Sequence, residues 1–152
     1  MTPQKIRASV VLERVAWVRK MLDGLRRIPA GSLEELLSDE RNVPAAESYL
    51  RRALEGLLDL GRHILAKGFG EGVLEYKMIP GELARNGVLS QDASALLTEM
   101  TGYRNRLTHF YAEVTPKELH LILTSRLSDL EDVLDEILRW LREHPELLDE
   151  SL

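Results

Sequence analysis

The side chains best suited to chemistry lie together in residues 103–111, which read Tyr-Arg-Asn-Arg-Leu-Thr-His-Phe-Tyr. A guanidinium such as that of Arg104 can bind a phosphodiester through two hydrogen bonds and stabilise the charge that develops on it. An imidazole such as that of His109 can donate and accept a proton near neutral pH. These two groups are the minimal set for RNA cleavage, because the 2′-hydroxyl of the substrate supplies the nucleophile. Asn105 lies next to Arg104 in the same stretch.

These residues come at the end of a predicted amphipathic helix. Apolar residues recur at steps of three and four along it, at Ala93, Leu96, Met100, Tyr103, Leu107 and Phe110. Arg104 lies beside this stripe, so it needs an anionic partner or a water-filled cleft. On an ideal helix Arg104 and His109 point roughly 140° apart. A break near the helix end, the long reach of arginine, or a second copy of the chain must therefore bring them together.

The remaining titratable residues have simpler interpretations. His109 itself has an alternative role as a packed interfacial or helix-terminal histidine, but its polar neighbours favour a catalytic one. His63 is predicted on a helix surface or packed, and His120 and His144 on the surface. The carboxylates of the last helix are predicted to form a solvated face rather than a metal site; they are Glu131, Asp132, Asp135 and Glu136. We therefore predict no metal and no cofactor.

Composition limits the class of protein. The chain has 152 residues, of which 44% are hydrophobic and 30% charged, as in a globular domain. It contains no cysteine, which excludes a disulfide framework and a thiol nucleophile and fits a cytoplasmic location. No apolar run suggests a signal peptide or a membrane span. Because the net charge is −5, any contact with nucleic acid needs a local basic site, completed by a partner or a second subunit.

The pattern of the whole chain predicts one all-α domain over residues 1–152, with a core from about 6 to 141 and a frayed, acidic C-terminal tail. It is an up-and-down bundle of four main helices plus short connecting helices. The predicted helices span 6–28, 33–38, about 42–67, 81–86, a segment capped by Ser90, and 116 to about 142. Ser32 with Glu35 and Thr115 with Glu118 are predicted to form capping boxes at the starts of the second and last of these helices. Gly68 is the expected C-cap of the long helix, which is expected to be central. The glycines at 68–72 lack the strand and the Lys-Ser/Thr of a phosphate-binding loop.

The arrangement Arg104-Asn105-x-x-x-His109-x-Tyr111 resembles the signature of the HEPN superfamily, and within it of the HepT-like toxins. Residues 60–64, the helix beginning at Pro80, residues 87–89 and the apolar run into Arg104 are also arranged as in that family. The resemblance implies a HEPN-like bundle that forms a homodimer, with a cleft at the interface lined by both motifs. It implies a metal-independent endoribonuclease in which Arg104 holds the phosphate, His109 transfers a proton and Asn105 orients one of them.

The same resemblance implies a partner. HepT-like toxins of type VII toxin–antitoxin systems are paired with an MntA-like nucleotidyltransferase antitoxin, which would transfer AMP to Tyr111 and block the cleft. Tyr111 has the alternative role of an aromatic core or dimer contact. Two other functions remain open. One is a non-catalytic HEPN partner that binds nucleotide or substrate for a nucleotidyltransferase, which the acidic net charge favours. The other is a purely structural helical dimer.

Overall fold

The computed structural model describes residues 4–109 and 113–152. These residues form seven α-helices and no strand: α1 (Ala8–Arg26), α2 (Leu33–Leu37), α3 (Asn42–Phe69), α4 (Ile79–Arg85), α5 (Gln91–Thr108), α6 (Pro116–Ser125) and α7 (Leu127–Glu143). Short 3₁₀ turns occupy Tyr76–Met78 and Pro145–Leu147. The predicted all-α bundle is therefore confirmed. Within the described residues, no helix combines the length and apolar character needed to cross a membrane.

The long helix α3 is the centre of the bundle, as predicted. Its fully buried side chains face several directions and include Leu50, Leu54, Leu57, Leu58, Leu60, Ile64 and Leu65. Helices α1, α2, α4, α5 and α6 all pack against it. At Gly61 a Cβ atom would lie 2.8 Å from the side chains of Ile79 and Leu83. The absence of a side chain there lets α4 approach α3 closely.

The end of α3 differs from the prediction. The C-cap is Gly70, which has the left-handed conformation with φ 68° and ψ 21°. Its N–H donates to the carbonyl of Ala66 at 3.2 Å, and the N–H of Glu71 donates to Leu65 at 2.9 Å. Gly68 is instead inside the last turn, where a Cβ would lie 2.9 Å from the side chain of Ile6. The sequence alone does not tell a glycine needed for packing from one needed for its backbone conformation.

The predicted final helix is two helices. The Thr115 capping box with Glu118 is confirmed at the start of α6, but the helix ends at Ser125 and α7 begins at Leu127. Arg126 lies at the joint with φ −114°, and its guanidinium contacts Glu99 at 3.3 Å and Asp129 at 3.4 Å. The contact with Glu99 joins this point to α5, at a separation of 27 residues that a local pattern does not cover.

The prediction of a frayed tail is wrong for residues 146–149. They contact residues 5–8, and we call these two segments together the terminal clasp. Ile6 donates its N–H to Leu147 at 2.7 Å, and Asp149 donates its N–H back to Ile6 at 2.9 Å. The carboxylate of Asp149 accepts the N–H of Ala8 at 2.9 Å. His63 Nε2 accepts the N–H of Arg7 at 3.0 Å. Two N–H groups at the start of α1 are thus satisfied by residues far away in sequence.

Candidate active site at the end of helix α5

Helix α5 carries the candidate residues and begins where the sequence predicts. The hydroxyl of Ser90 caps it by accepting the N–H of Ala93 at 3.1 Å. The buried residues of α5 are Ala93, Ser94, Leu97, Met100 and Thr101, whereas Leu96, Tyr103 and Leu107 are only partly buried. The core face is therefore rotated from the predicted stripe toward Leu97 and Thr101. Arg104, one turn after Thr101, points toward α3 as a result.

Arg104 has the anionic partner that its position requires. Its Nε lies 3.6 Å from Oε1 of Glu55 on α3, and its side chain is 19% exposed. Its Nη1 donates to Oδ1 of Asn105 at 3.2 Å. Its guanidinium carbon lies 4.6 Å from the centroid of the Tyr76 ring, a cation–π contact. Arg104 is thus held by α3, by its own helix neighbour and by the loop before α4.

Tyr76 connects two arginines at this site. The guanidinium carbons of Arg62 and Arg104 both lie 4.6 Å from its ring centroid. Its hydroxyl donates to Oδ1 of Asp59 at 2.7 Å. Burial, together with the hydrogen bond to Asp59, raises the pKa of Tyr76 above its usual value. The phenol therefore stays protonated at neutral pH and keeps this hydrogen bond. Arg62 Nη2 also donates to the carbonyl of Leu74 at 3.2 Å, which fixes the loop on α3.

His109 reaches the same groove because the helix stops in front of it. The last residue of α5 is Thr108, and His109 is extended, with φ −108° and ψ 125°. His109, Arg104 and Asn105 line one groove of about 520 Å³, together with Arg62, Tyr76 and Lys77. Of the three routes that the sequence left open, a break at the helix end is the one observed. A single chain places both residues at one groove.

A brace on the other side of α5 holds this helix end. Arg106 donates from Nη1 and Nη2 to the two carboxylate oxygens of Glu118 on α6, at 2.7 and 2.8 Å. Nη2 also donates to the carbonyl of Glu113 at 2.6 Å. The Arg106 hydrogen bonds, together with those from Thr115, lower the pKa of Glu118 to about 2. Arg106 therefore fixes the helix end to α6, whereas Arg104 lines the groove.

The other sequence candidates lie elsewhere. Tyr111, the predicted modification site, is outside the described residues. His120 and His144 are partly buried and contact backbone carbonyls, of Ala30 at 3.1 Å and of Trp140 at 2.7 Å respectively. On the last helix, Glu131 pairs with Arg26 at 2.7 Å. Among residues 4–109 and 113–152, no group of three or more His, Asp or Glu side chains is arranged to hold a metal ion.

Sequence reasoning missed the residues that surround Arg104. Glu55, Asp59 and Arg62 recur at steps of four and three along α3, which places them on one helix face. That spacing was the available signal, but it does not show which helix the face meets. Tyr76 comes from a short 3₁₀ turn, where no periodic pattern could have marked it.

The bundle and the groove at the end of α5 define an all-α protein with a histidine–arginine site. A family model described as Ribonuclease HepT-like matches residues 18–137, and the chain belongs to that family. The resemblance to HepT-like proteins is therefore confirmed. One curated relative is the tRNA nuclease HepT of Aphanizomenon flos-aquae, strain 2012/KM1/D3. It is 24% identical over 123 residues, which cover 80% of this chain and 83% of that protein.

Solved structures share the fold. A tri-AMPylated HEPN toxin of Shewanella oneidensis in complex with an MNT antitoxin superposes with a TM-score of 0.78, at 21% identity, over 86% of this chain and 97% of that one. A toxin–antitoxin structure with AMP-PNP gives a TM-score of 0.77 at 20% identity, over 86% and 98% of the two chains. YutE of Bacillus subtilis, described as a cytosolic protein of unknown function, gives 0.76 at 18% identity, over 95% and 96%. The HEPN fold is thus confirmed.

Proposed function

We propose that this protein is a metal-independent endoribonuclease toxin of a type VII toxin–antitoxin system, acting in the cytoplasm. The observation that supports this most is the groove at the end of α5, where Arg104, Asn105 and His109 lie together with Arg62 and Lys77. Membership of the Ribonuclease HepT-like family and the relative named as a tRNA nuclease support the same activity.

In the proposed reaction, Arg104 binds a nonbridging oxygen of the phosphodiester and stabilises the charge that grows on it. Asn105 keeps the guanidinium oriented through its contact with Nη1. The 2′-oxygen attacks phosphorus and the bond to the 5′-oxygen breaks, which gives a 2′,3′-cyclic phosphate and a 5′-hydroxyl end. His109 transfers one of the two protons that move, from the 2′-hydroxyl or to the leaving oxygen. The other proton is exchanged with water or with His109 of a second copy in a homodimer.

The proposed control is covalent. An MntA-like nucleotidyltransferase antitoxin would transfer AMP to Tyr111, two residues after His109. The added phosphate would bring bulk and negative charge next to a groove that must accept an RNA phosphate. The fold shared with an AMPylated HEPN toxin in complex with an MNT antitoxin supports this proposal. Intact-mass measurement after co-expression with a neighbouring nucleotidyltransferase gene should show added AMP units that disappear in Tyr111→Phe.

Cleavage of a labelled RNA by the purified protein in EDTA tests the activity itself. His109→Ala should lower the rate by about 100-fold or more, since general acid–base catalysis contributes at least that much. His120→Ala is the matched control, because His120 lies on α6 against Ala30 and does not line the groove. Equal rates for wild type and His109→Ala, with both proteins folded, would rule out the proposed role of His109.

One observation favours a second candidate, a non-catalytic nucleotide-binding partner of a nucleotidyltransferase. Arg104 is mostly buried and already faces Glu55 and Tyr76, so its charge is partly used inside the protein. In that case the wild type would not cut RNA, His109→Ala would change nothing in the cleavage assay, and AMP or the partner would still bind measurably.

A further inference from the structure

A second groove lies next to the candidate active site. It has a volume of about 520 Å³ and is lined by Arg14, Arg62, His63 and Tyr76, with Asp59 among its remaining residues. Arg62 and Tyr76 also line the groove that contains Arg104 and His109. These two side chains are therefore a shared wall, and the second groove continues the first toward α1.

The second groove carries a local excess of positive charge. Arg14 comes from α1, and Arg62 and His63 come from α3. Burial, together with the positive charges of Lys67, Arg7 and Arg14, lowers the pKa of His63. The acidic groups nearby include Asp149, Glu55, whose charge acts on Tyr76, and Asp59. Asp59 is engaged by the Tyr76 hydroxyl and by Arg62 at 3.6 Å. With His63 neutral, Arg14 and Arg62 outweigh Asp59 in the lining. This is a local positive site of the kind that binding a polyanion requires on a chain with net charge −5.

Among the cations of this groove, Arg14 takes the smallest part in hydrogen bonds and ion pairs within the protein. It is half-buried, and it makes no hydrogen bond or ion pair with residues 4–109 and 113–152. Most other half-buried arginines of the described chain have carboxylate partners: Arg51, Arg62, Arg104, Arg106 and Arg126. An arginine held in a groove without an internal acidic partner is suited to an anionic ligand from outside.

We infer that the second groove is a phosphate-binding subsite for the RNA strand, in which Arg14 contacts a phosphate other than the one that is cleaved. The inference rests on the proposed ribonuclease function. It requires in addition that the RNA substrate extends past the scissile phosphate, across the wall formed by Arg62 and Tyr76. Phosphate contacts of this kind supply affinity that does not depend on sequence and weakens with salt.

The test measures binding of a fluorescent oligoribonucleotide of about ten residues, long enough to span both grooves, by anisotropy at several salt concentrations. The His109→Ala protein is used so that the RNA is not cut. Adding Arg14→Gln should weaken binding about fivefold or more and lower the salt slope by about 0.7, the loss of one phosphate contact to a single strand. Arg19→Gln is the matched control, because Arg19 is exposed on the same helix and lines neither groove.

Unchanged affinity for Arg19→Gln together with the loss for Arg14→Gln supports the subsite. Equal effects of the two substitutions overturn it, because they would show only a loss of overall charge. Thermal unfolding of both variants must match, which excludes a folding defect as the cause. If wild-type protein cuts RNA while Arg14→Gln binds it as well as Arg19→Gln does, the subsite fails and the ribonuclease proposal stands. If wild-type protein neither cuts nor binds RNA, both fail.

Discussion

Oε1 of Glu55 lies 3.6 Å from Nε of Arg104 and 2.8 Å from Nη1 of Arg51, so one carboxylate on α3 serves two guanidinium groups. The side chains of Glu55 and Arg104 are 24% and 19% exposed. An ion pair that is largely removed from water contributes more to positioning than a surface pair, and it is costly to break on one side only. Glu55 therefore joins the central helix to the turn that carries the candidate catalytic residues.

Glu55→Gln keeps the size of the side chain and removes its charge. We expect the free energy of unfolding to fall by about 1 kcal/mol, between the values for surface and buried pairs. We also expect a lower kcat for RNA cleavage, because Arg104 is held less firmly. Urea denaturation and single-turnover cleavage measure the two effects.

The matched control for that substitution is Glu47→Gln on the same helix. Burial, and then the negative charge of Glu113, raises the pKa of Glu47. A raised pKa means that ionised Glu47 destabilises the fold at neutral pH, so its replacement by Gln should leave stability equal or slightly higher. If Glu55→Gln and Glu47→Gln unfold at the same urea concentration, Glu55 does not have the positioning role assigned to it.

Two substitutions at Tyr76 separate its ring from its hydroxyl. Tyr76→Phe loses the hydrogen bond to Asp59, which should cost about 1 kcal/mol of stability. It keeps the ring contact with Arg104, so cleavage should stay within about threefold of wild type. Tyr76→Leu removes the ring contact, worth about 1 kcal/mol or more at a partly desolvated site, and should lower kcat about tenfold. Equal kcat values for the Phe and Leu variants would show that the cation–π contact does not position Arg104.

The lowered pKa of His63 makes stability depend on pH. Burial and nearby cations lower the pKa of His63 in the folded protein, so the folded state favours the neutral imidazole that accepts the N–H of Arg7. The stability that neutral His63 contributes is therefore fully present above its unfolded pKa of about 6.5. It is lost as the pH falls through the pKa of His63 in the folded protein. His63→Gln can still accept the N–H and does not titrate. We expect wild type to lose stability relative to His63→Gln as the pH falls from 7.5 to about 5. Unfolding free energies of both proteins across this range measure the effect.

Asp149→Ala tests the terminal clasp. Its carboxylate accepts the N–H of Ala8 at the start of α1, and loss of such a cap typically costs about 1 kcal/mol. Glu150→Ala, at the exposed neighbouring position, removes the same charge without removing a cap and should change stability little. Thermal unfolding of the two variants should therefore differ. A common melting temperature would mean that the tail does not stabilise α1.

Local signals predicted the helix starts well. The caps at Ser32, Ser90 and Thr115 are all formed, because each needs only a side chain and an N–H three residues later. The terminal clasp and the contact of Arg126 with Glu99 instead involve partners that are distant in sequence. No pattern within a single helix contains that information.

The candidate site shows the same difference between residues that the local sequence marks and residues whose role depends on packing. Arg104 and His109 were predicted from their chemistry and Asn105 from the resemblance to HepT-like proteins, and the structure brings all three to one groove. Glu55 and Tyr76 were not predicted. The role of Glu55 depends on which face of α3 meets α5, and that of Tyr76 depends on where the loop before α4 packs. The catalytic roles of the three predicted residues, and the AMPylation of Tyr111, remain predictions for the experiments above.

The ion pair between Arg106 and Glu118 keeps its charge at the pH values at which histidine side chains change theirs. A carboxyl with a pKa of about 2, paired with a guanidinium, remains ionised throughout the range in which an imidazole titrates. The ion pair that joins the end of α5 to α6 therefore keeps both of its charges across that range. A pH–rate profile of the proposed RNA cleavage should therefore contain no inflection from the Arg106–Glu118 pair.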